Sequence, residues 1–416
     1  MPIPDIIIDT IRRQGPVSFH DFMEMALYYP EQGYYTSFGG DRVGASGDFY
    51  TSACLTRLFG EMIAGQLEEM WRILDCQPFT VVEFGAGTGL LCRDILLRLR
   101  ENAELFRSLQ YVIIEKSALM RCRERSLLAA EGLLYKLRWE SAIEAVSPVN
   151  GCILSNELVD NFAIHQVVMQ DELMEVFVGY ENGFVEMLRP ASSELRDYLR
   201  ELQVTLPRGF RTEINLEATR WIGEVAAALG RGFVITIDYG NSSSGLYNSS
   251  EGTLACYRRH RVNHNPYECV GEQDITSHVN FSALDHWGRR GGLDYCGFTS
   301  QTRFLQGLGL NRRLQQLERG GACFDGSCFD GSCSGGSHAD GSHSDDSRSD
   351  GDPGAEGSTG VGSRDAVARE MASRQMASRQ LYTLLVDMGN KFKVLIQRKG
   401  IGRPFLSGLQ FAQVLA

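Results

Sequence analysis

Short apolar runs alternate along the chain with stretches in which apolar residues recur every three to four positions, the pattern of buried strands separated by helices. FTVVEF at Phe79 to Phe84, YVIIE at Tyr111 to Glu115, GCILS at Gly151 to Ser155, FVITID at Phe233 to Asp238 and FKVLIQ at Phe392 to Gln397 are short and rich in β-branched or aromatic residues, as strands are. Leu90 to Arg100 and Leu216 to Leu229 have helical spacing. Strand, helix and strand in succession predict βαβ units and a mostly parallel α/β sheet. HQVVMQDELMEVFVGYENGFVEML breaks the rhythm: polar residues at Gln170 to Glu172 and at Glu181 to Gly183 divide it into three antiparallel strands. An insertion of this kind, over about 163–190, is expected to shape a substrate site beside the carboxyl end of a core strand.

Composition separates one segment from the rest. Gly320 to Gly362 is dominated by Gly, Ser and Asp, so it lacks the apolar surface that would offset the entropy of ordering. It reads as a decaying pentad repeat. One phase of that pentad places Cys323, Cys328, Cys333, His338 and His343 five residues apart, which invites zinc. The next member is Arg348, and an arginine codon lies one base from both cysteine and histidine codons, so repeat drift accounts for the series and no metal site is expected. The resulting division is an N-terminal helical segment and site wall over 1–75, a core over 76–319, a disordered linker over 320–362, and a C-terminal helix and last strand over 363–416.

With 416 residues and 43% hydrophobic content the chain can bury a large core, and no run approaches the ~20 apolar residues of a membrane-spanning helix. A net charge of −11 argues against a general nucleic-acid binder. The eleven cysteines lack framework spacing and fit thiols in a reducing cytoplasm. The start of the chain lacks the basic and apolar regions of a secretory signal.

The candidate chemistry begins at VVEFGAGTGLL. Gly85, Gly87 and Gly89 form G-x-G-x-G after an acid, not the G-x-G-x-x-G of a dinucleotide site, and no Lys-Ser or Lys-Thr follows to make a P-loop. Glu83 would repel a pyrophosphate but could receive an ammonium group, as S-adenosyl-L-methionine offers, and Glu115 is placed for ribose hydroxyls. SNELVD puts Asn156, Glu157 and Asp160 beyond the fourth strand, where a carboxylate pair could hold a planar guanidinium. Glu272, Gln273 and Asp274 form a polar cluster expected on a loop, followed by a short strand over Thr276 to Phe281. The basic run CYRRHRVNHNPY at Cys256 to Tyr267 reads as a solvated face.

Five ordered segments, ALYYPEQGYYT at Ala26 to Thr36, GDFYTS at Gly47 to Ser52, EFGAGTG at Glu83 to Gly89, SNELVDNF at Ser155 to Phe162 and GEQDITSHVNF at Gly271 to Phe281, resemble the MidA family of methyltransferase-like proteins, whose mitochondrial members assist assembly of respiratory complex I. The resemblance implies a class I S-adenosylmethionine methyltransferase fold, Rossmann-like, with the antiparallel insertion as substrate region. It implies methyl transfer to arginine on a protein partner of the complex I subunit type; no nucleic-acid partner and no membrane insertion are expected from the charge and the apolar runs. GDFYTS, with Asp48, Tyr50 and Thr51, would supply part of the cofactor and active-site wall. The chain departs from the family where Pro-Glu usually follows this motif and Ala53 and Cys54 stand instead. That missing carboxylate keeps a non-catalytic assembly scaffold as the alternative.

Overall fold

The computed structural model describes residues 1–37, 42, 47–48, 50–248, 250–319, 382–413 and 415. The pentad segment, its cysteine and histidine series and the expected helix before Tyr382 lie outside the described residues.

The main sheet contains β1 (Phe79–Phe84), β2 (Leu109–Ile114), β3 (Leu137–Glu140), β4 (Val149–Asn156), β5 (Leu229–Asn241), β6 (Asp294–Ser300) and β7 (Phe392–Lys399). Their spatial order is β3-β2-β1-β4-β5-β7-β6, with the pair Val279–Asn280 added alongside the end of β5. The strands β1 to β5 run parallel, whereas β7 is antiparallel to both its neighbours. The expected parallel sheet is therefore present, completed by one reversed strand.

Both faces of the sheet are covered, which explains why its central strands carry apolar residues on both sides. Val81, Ile113, Leu154, Ile235 and Ile396 point to one face and pack with α3 (Arg57–Ile73) and α4 (Leu90–Leu99). Their neighbours Val82, Val112, Ile153, Val234 and Leu395 point to the other, against α6 (Leu216–Ala228) and α7 (Phe281–Arg290). Helix α5 (Ala118–Ala130) follows β2 and starts on a Ser117 cap. Side-chain caps also start α6 and α7: Asn215 accepts from the Ala218 amide and Asn280 from the Ala283 amide. The Asn280 cap corrects the expectation of a strand over Thr276 to Phe281, because Phe281 is the first residue of α7 and the strand nearby is Asp274–Thr276.

The insertion forms the expected antiparallel sheet from His165–Met169, Leu173–Tyr180 and Phe184–Pro190, joined by Arg211–Ile214 and the pair Val17–Ser18. On its inner face Val176, Val178 and Ile164 pack with Ile7, Phe22 and Leu27 of the N-terminal helices α1 (Ile3–Gln14) and α2 (Phe19–Tyr28). A third, three-stranded sheet has the order Arg261–Asn263, Ala255–Arg258, Asp274–Thr276. Among the described residues no helix is long and apolar enough to cross a membrane.

Candidate active site

After β1 the chain builds outward through β2 and β3, then returns to place β4 on the other side of β1. Connections leave β1 and β4 in opposite directions, and the carboxyl ends of such strands open a crevice for ligands. The glycine loop leaves β1 there, Asn156 ends β4 with Glu157 just after it, Glu115 follows β2 and Asp238 lies near the end of β5.

The glycine loop turns on left-handed backbone, with φ of +61° at Gly85, +58° at Gly87 and +81° at Gly89. At Gly89 a Cβ would meet Glu124 Cα of α5 at 3.4 Å, so this residue lets a helix pack close. At Gly87 no protein atom lies within 4 Å of an added Cβ. Its bare backbone thus faces space that a side chain would fill, which fits close approach by a ligand. Glu83 lies below the loop: it is 2% exposed, and its Oε2 accepts a 2.7 Å hydrogen bond from the Tyr111 hydroxyl. Burial pushes its carboxyl up to about 7. Glu115 is half-buried, and its Oε1 accepts from the Ser117 amide at 2.7 Å, fixing the carboxylate at the start of α5.

Four carboxyl groups gather beyond β4 and β5. Glu157 has φ of +52°, an uncommon conformation for a residue with a side chain. Its Oε1 accepts from the Ser52 amide at 2.8 Å and from Asn156 Nδ2 at 3.1 Å. Asp238, absent from the sequence-based candidates, accepts from the amides of Leu158 at 3.1 Å and Val159 at 2.8 Å through Oδ2, and from Tyr239 through Oδ1. It holds the SNELVD loop in shape. Asp274 is 2% exposed and accepts from the Tyr35 hydroxyl at 2.8 Å and from Asn161 Nδ2. Asp160 is 5% exposed, and among the described residues its Oδ1 and the buried Oδ1 of Asn156 have no hydrogen-bond partner.

Burial pushes the Glu157 carboxyl up to about 8 and that of Asp274 to about 7. Asp160 is raised well above the ordinary range, first by burial and then by the charges of Asp238, Asp274 and Glu157. Burial and mutual repulsion thus favour the protonated forms in this cluster. Among the described residues no three of His, Cys, Asp and Glu are arranged to hold a metal.

The remaining candidates divide. Asp48 is 8% exposed, with Oδ2 accepting from Tyr34 at 2.7 Å and Oδ1 accepting from the Arg259 amide at 2.7 Å. It ties GDFYTS to the basic hairpin. The Tyr50 ring stacks on His260 at 4.7 Å, and Thr51 Oγ1 donates to Cys54 Sγ. Gln273 is 1% exposed and occupied by Asn263, Asn265 and Glu268, while Glu272 pairs with Arg258 at the surface. Of that trio only Asp274 joins the carboxyl cluster, and only as the first residue of a strand. Ser52 was missed because its contribution is a backbone amide, which leaves no mark in side-chain chemistry.

A family model described as "Putative S-adenosyl-L-methionine-dependent methyltransferase" matches residues 62–299. The Drosophila melanogaster protein arginine methyltransferase NDUFAF7 homolog, mitochondrial, is 28% identical over 330 residues, covering 73% of this chain and 74% of that protein. Mouse mitochondrial protein arginine methyltransferase NDUFAF7 is 25% identical over 338 residues, 74% of each. A crystal structure of a COG1565 superfamily member from Burkholderia thailandensis, bound to S-adenosyl-homocysteine, superposes with a TM-score of 0.79 at 28% identity, covering 99% of this chain and 95% of that one. By sequence and by fold, the chain belongs to the family of S-adenosyl-L-methionine-dependent methyltransferases, with S-adenosyl-L-methionine as its cofactor.

Proposed function

We propose that this chain methylates an arginine side chain on a protein partner. The observation that carries the reading is the pair of unpartnered buried acceptors, Asn156 Oδ1 and Asp160 Oδ1, within a cluster of carboxyl groups. A guanidinium is a cation with five N–H donors and no acceptor, so it supplies both what these oxygens lack and the charge the cluster needs. The names of the relatives support the same acceptor class.

The cofactor supplies an electrophilic methyl group on a sulfonium. On the protein side, Gly85, Gly87 and Gly89 give it backbone to lie against, and Glu115 accepts from its ribose hydroxyls. Glu83 supports the loop through Tyr111 and adds negative charge near the ammonium group. Asp48, Tyr50 and Thr51 form the wall that carries the Ser52 amide to Glu157. Glu157 and Asp160 hold the guanidinium with one nitrogen aimed at the methyl carbon, and Asn156 accepts a further N–H. Once that nitrogen is methylated it must lose a proton, and a Glu157 carboxylate with affinity for protons near neutral pH is suited to take it. Gln273 and Glu272 shape the loop that presents Asp274.

A respiratory complex I subunit is the acceptor that the MidA resemblance supports. Composition alone reads as a reducing cytoplasm, whereas the relatives named above are called mitochondrial. The test is transfer of labelled methyl from S-adenosylmethionine to proteins co-purified with the full chain, followed by mass spectrometry for methylarginine. Cofactor binding without methylarginine on any partner would overturn the proposal.

A further inference from the structure

Near the carboxyl cluster lies a cationic tip that the proposed reaction does not use. Strands Ala255–Arg258 and Arg261–Asn263 form a hairpin closed by only Arg259 and His260, with φ of +49° and +58°. Two left-handed central residues define a turn that favours Asn-Gly, so Arg and His are held here at a conformational cost. Asp48 offsets that cost by accepting the Arg259 amide at 2.7 Å through its side chain and the His260 amide at 3.0 Å through its carbonyl.

The tip also follows directly on residues beside the carboxyl cluster. Tyr257 lies opposite Asp274 in register, so Arg259 follows it by about 7 Å of extended chain. The charges of Asp160 and Asp274 help raise the Tyr257 hydroxyl, after burial, which places that ring in the field of the cluster. On the other side, the His260 ring stacks on Tyr50, two residues before the Ser52 amide that binds Glu157. Arg258 is engaged by Glu272, whereas Arg259, His260 and Arg261 are exposed.

We propose that the Arg259, His260 and Arg261 tip is a docking lip for acidic residues that flank the target arginine. This rests on the pocket being a guanidinium site. The lip repels a substrate whose arginine lies in a basic run and attracts one with Asp or Glu beside it, so it sets sequence preference without touching the reacting atoms.

The test uses the full chain with S-adenosylhomocysteine and fluorescein-labelled peptides carrying one central arginine, flanked by glutamates or by serines. Anisotropy should show the glutamate-flanked peptide binding about fivefold tighter at low salt, the scale of two exposed ion pairs, with the preference shrinking as salt rises. Arg259→Glu with Arg261→Glu should reverse the preference. Arg259→Asn with His260→Gly, chosen to suit the turn, should keep the melting temperature and S-adenosylhomocysteine affinity while weakening the preference. Equal binding of both peptides to the parent chain, or a preference that survives both double variants, overturns the lip. A single-stranded oligonucleotide that displaces the peptide from the parent but not from the charge-reversed variant would assign the tip to phosphates and also overturn it. A peptide with glutamine in place of the central arginine separates the two readings: if it binds as well as the arginine peptide, the guanidinium pocket fails while the comparison of flanks still stands.

Discussion

The Ser52 amide donates a 2.8 Å hydrogen bond to the Glu157 carboxylate across 105 residues of sequence. This bond joins the N-terminal segment to the end of β4, and Glu157 Oε1 is held by the Ser52 amide and Asn156 Nδ2 rather than by a cationic side chain.

Glu157→Gln should remove methyl transfer by at least about 100-fold, the scale of a lost acid–base group, and leave S-adenosylhomocysteine affinity within twofold. An amide oxygen can still accept from Ser52 and Asn156, so the fold should persist. The parent's activity should rise with pH as Glu157 loses its proton, with a limb near 8 that the variant lacks. Rate and calorimetric measurements on the two proteins decide this; parallel loss of transfer and cofactor affinity would move Glu157 into the cofactor site.

At the glycine loop, Gly87→Val should abolish cofactor binding in calorimetry. The substitution puts a β-branched side chain at φ of +58° and into the space above the loop. Left-handed strain of about 1–2 kcal/mol should also lower the melting temperature modestly. Unchanged affinity would show that ligand does not approach there.

Glu115→Ala should weaken cofactor binding by about 1–3 kcal/mol, the range for a lost hydrogen bond to a charged group. It also deprives the Ser117 amide of its acceptor, so the start of α5 should exchange amide hydrogens faster. A dissociation constant within twofold of the parent would remove Glu115 from the ribose site.

Stability should fall as pH rises from about 5 to 8 in the absence of substrate. Glu83, Glu157 and Asp274 have folded-state values of about 7, 8 and 7, above those of exposed carboxyl groups. In that window the folded chain binds more protons than the unfolded one, so the slope of unfolding free energy with pH is negative. Chemical denaturation at pH 5.5 and 8.5 tests the sign, and an arginine peptide should reduce the difference by replacing protons with its own charge.

Legibility in the sequence followed the range of the interactions. Strands β1, β2, β4, β5 and β7 are buried on both sides and so appear as apolar runs. The strands β3, LRWE, and β6, DYCGFTS, are short or mixed at opposite edges of the sheet and gave no such signal. Glu157 and the glycine loop carry their chemistry in residue type and local spacing. Asp238 had the right chemistry but sat inside what read only as a strand, and its role depends on amides 79 and 80 residues away. The bond from Tyr35 to Asp274 spans 239 residues, which no local pattern encodes.

The position of β7 has a consequence for synthesis. This strand comes last of the seven in chain order yet occupies an interior slot, pairing with β5 from Gly232 to Tyr239 and with β6 from Asp294 to Ser300. While the chain is on the ribosome, β5 must expose one edge and β6 has no strand to join, until residues after Phe392 emerge. Strand edges left open in this way invite pairing with other chains. Nascent chains stalled before Phe392 should therefore bind chaperones, and emergence of Phe392–Lys399 should let the sheet close as a unit.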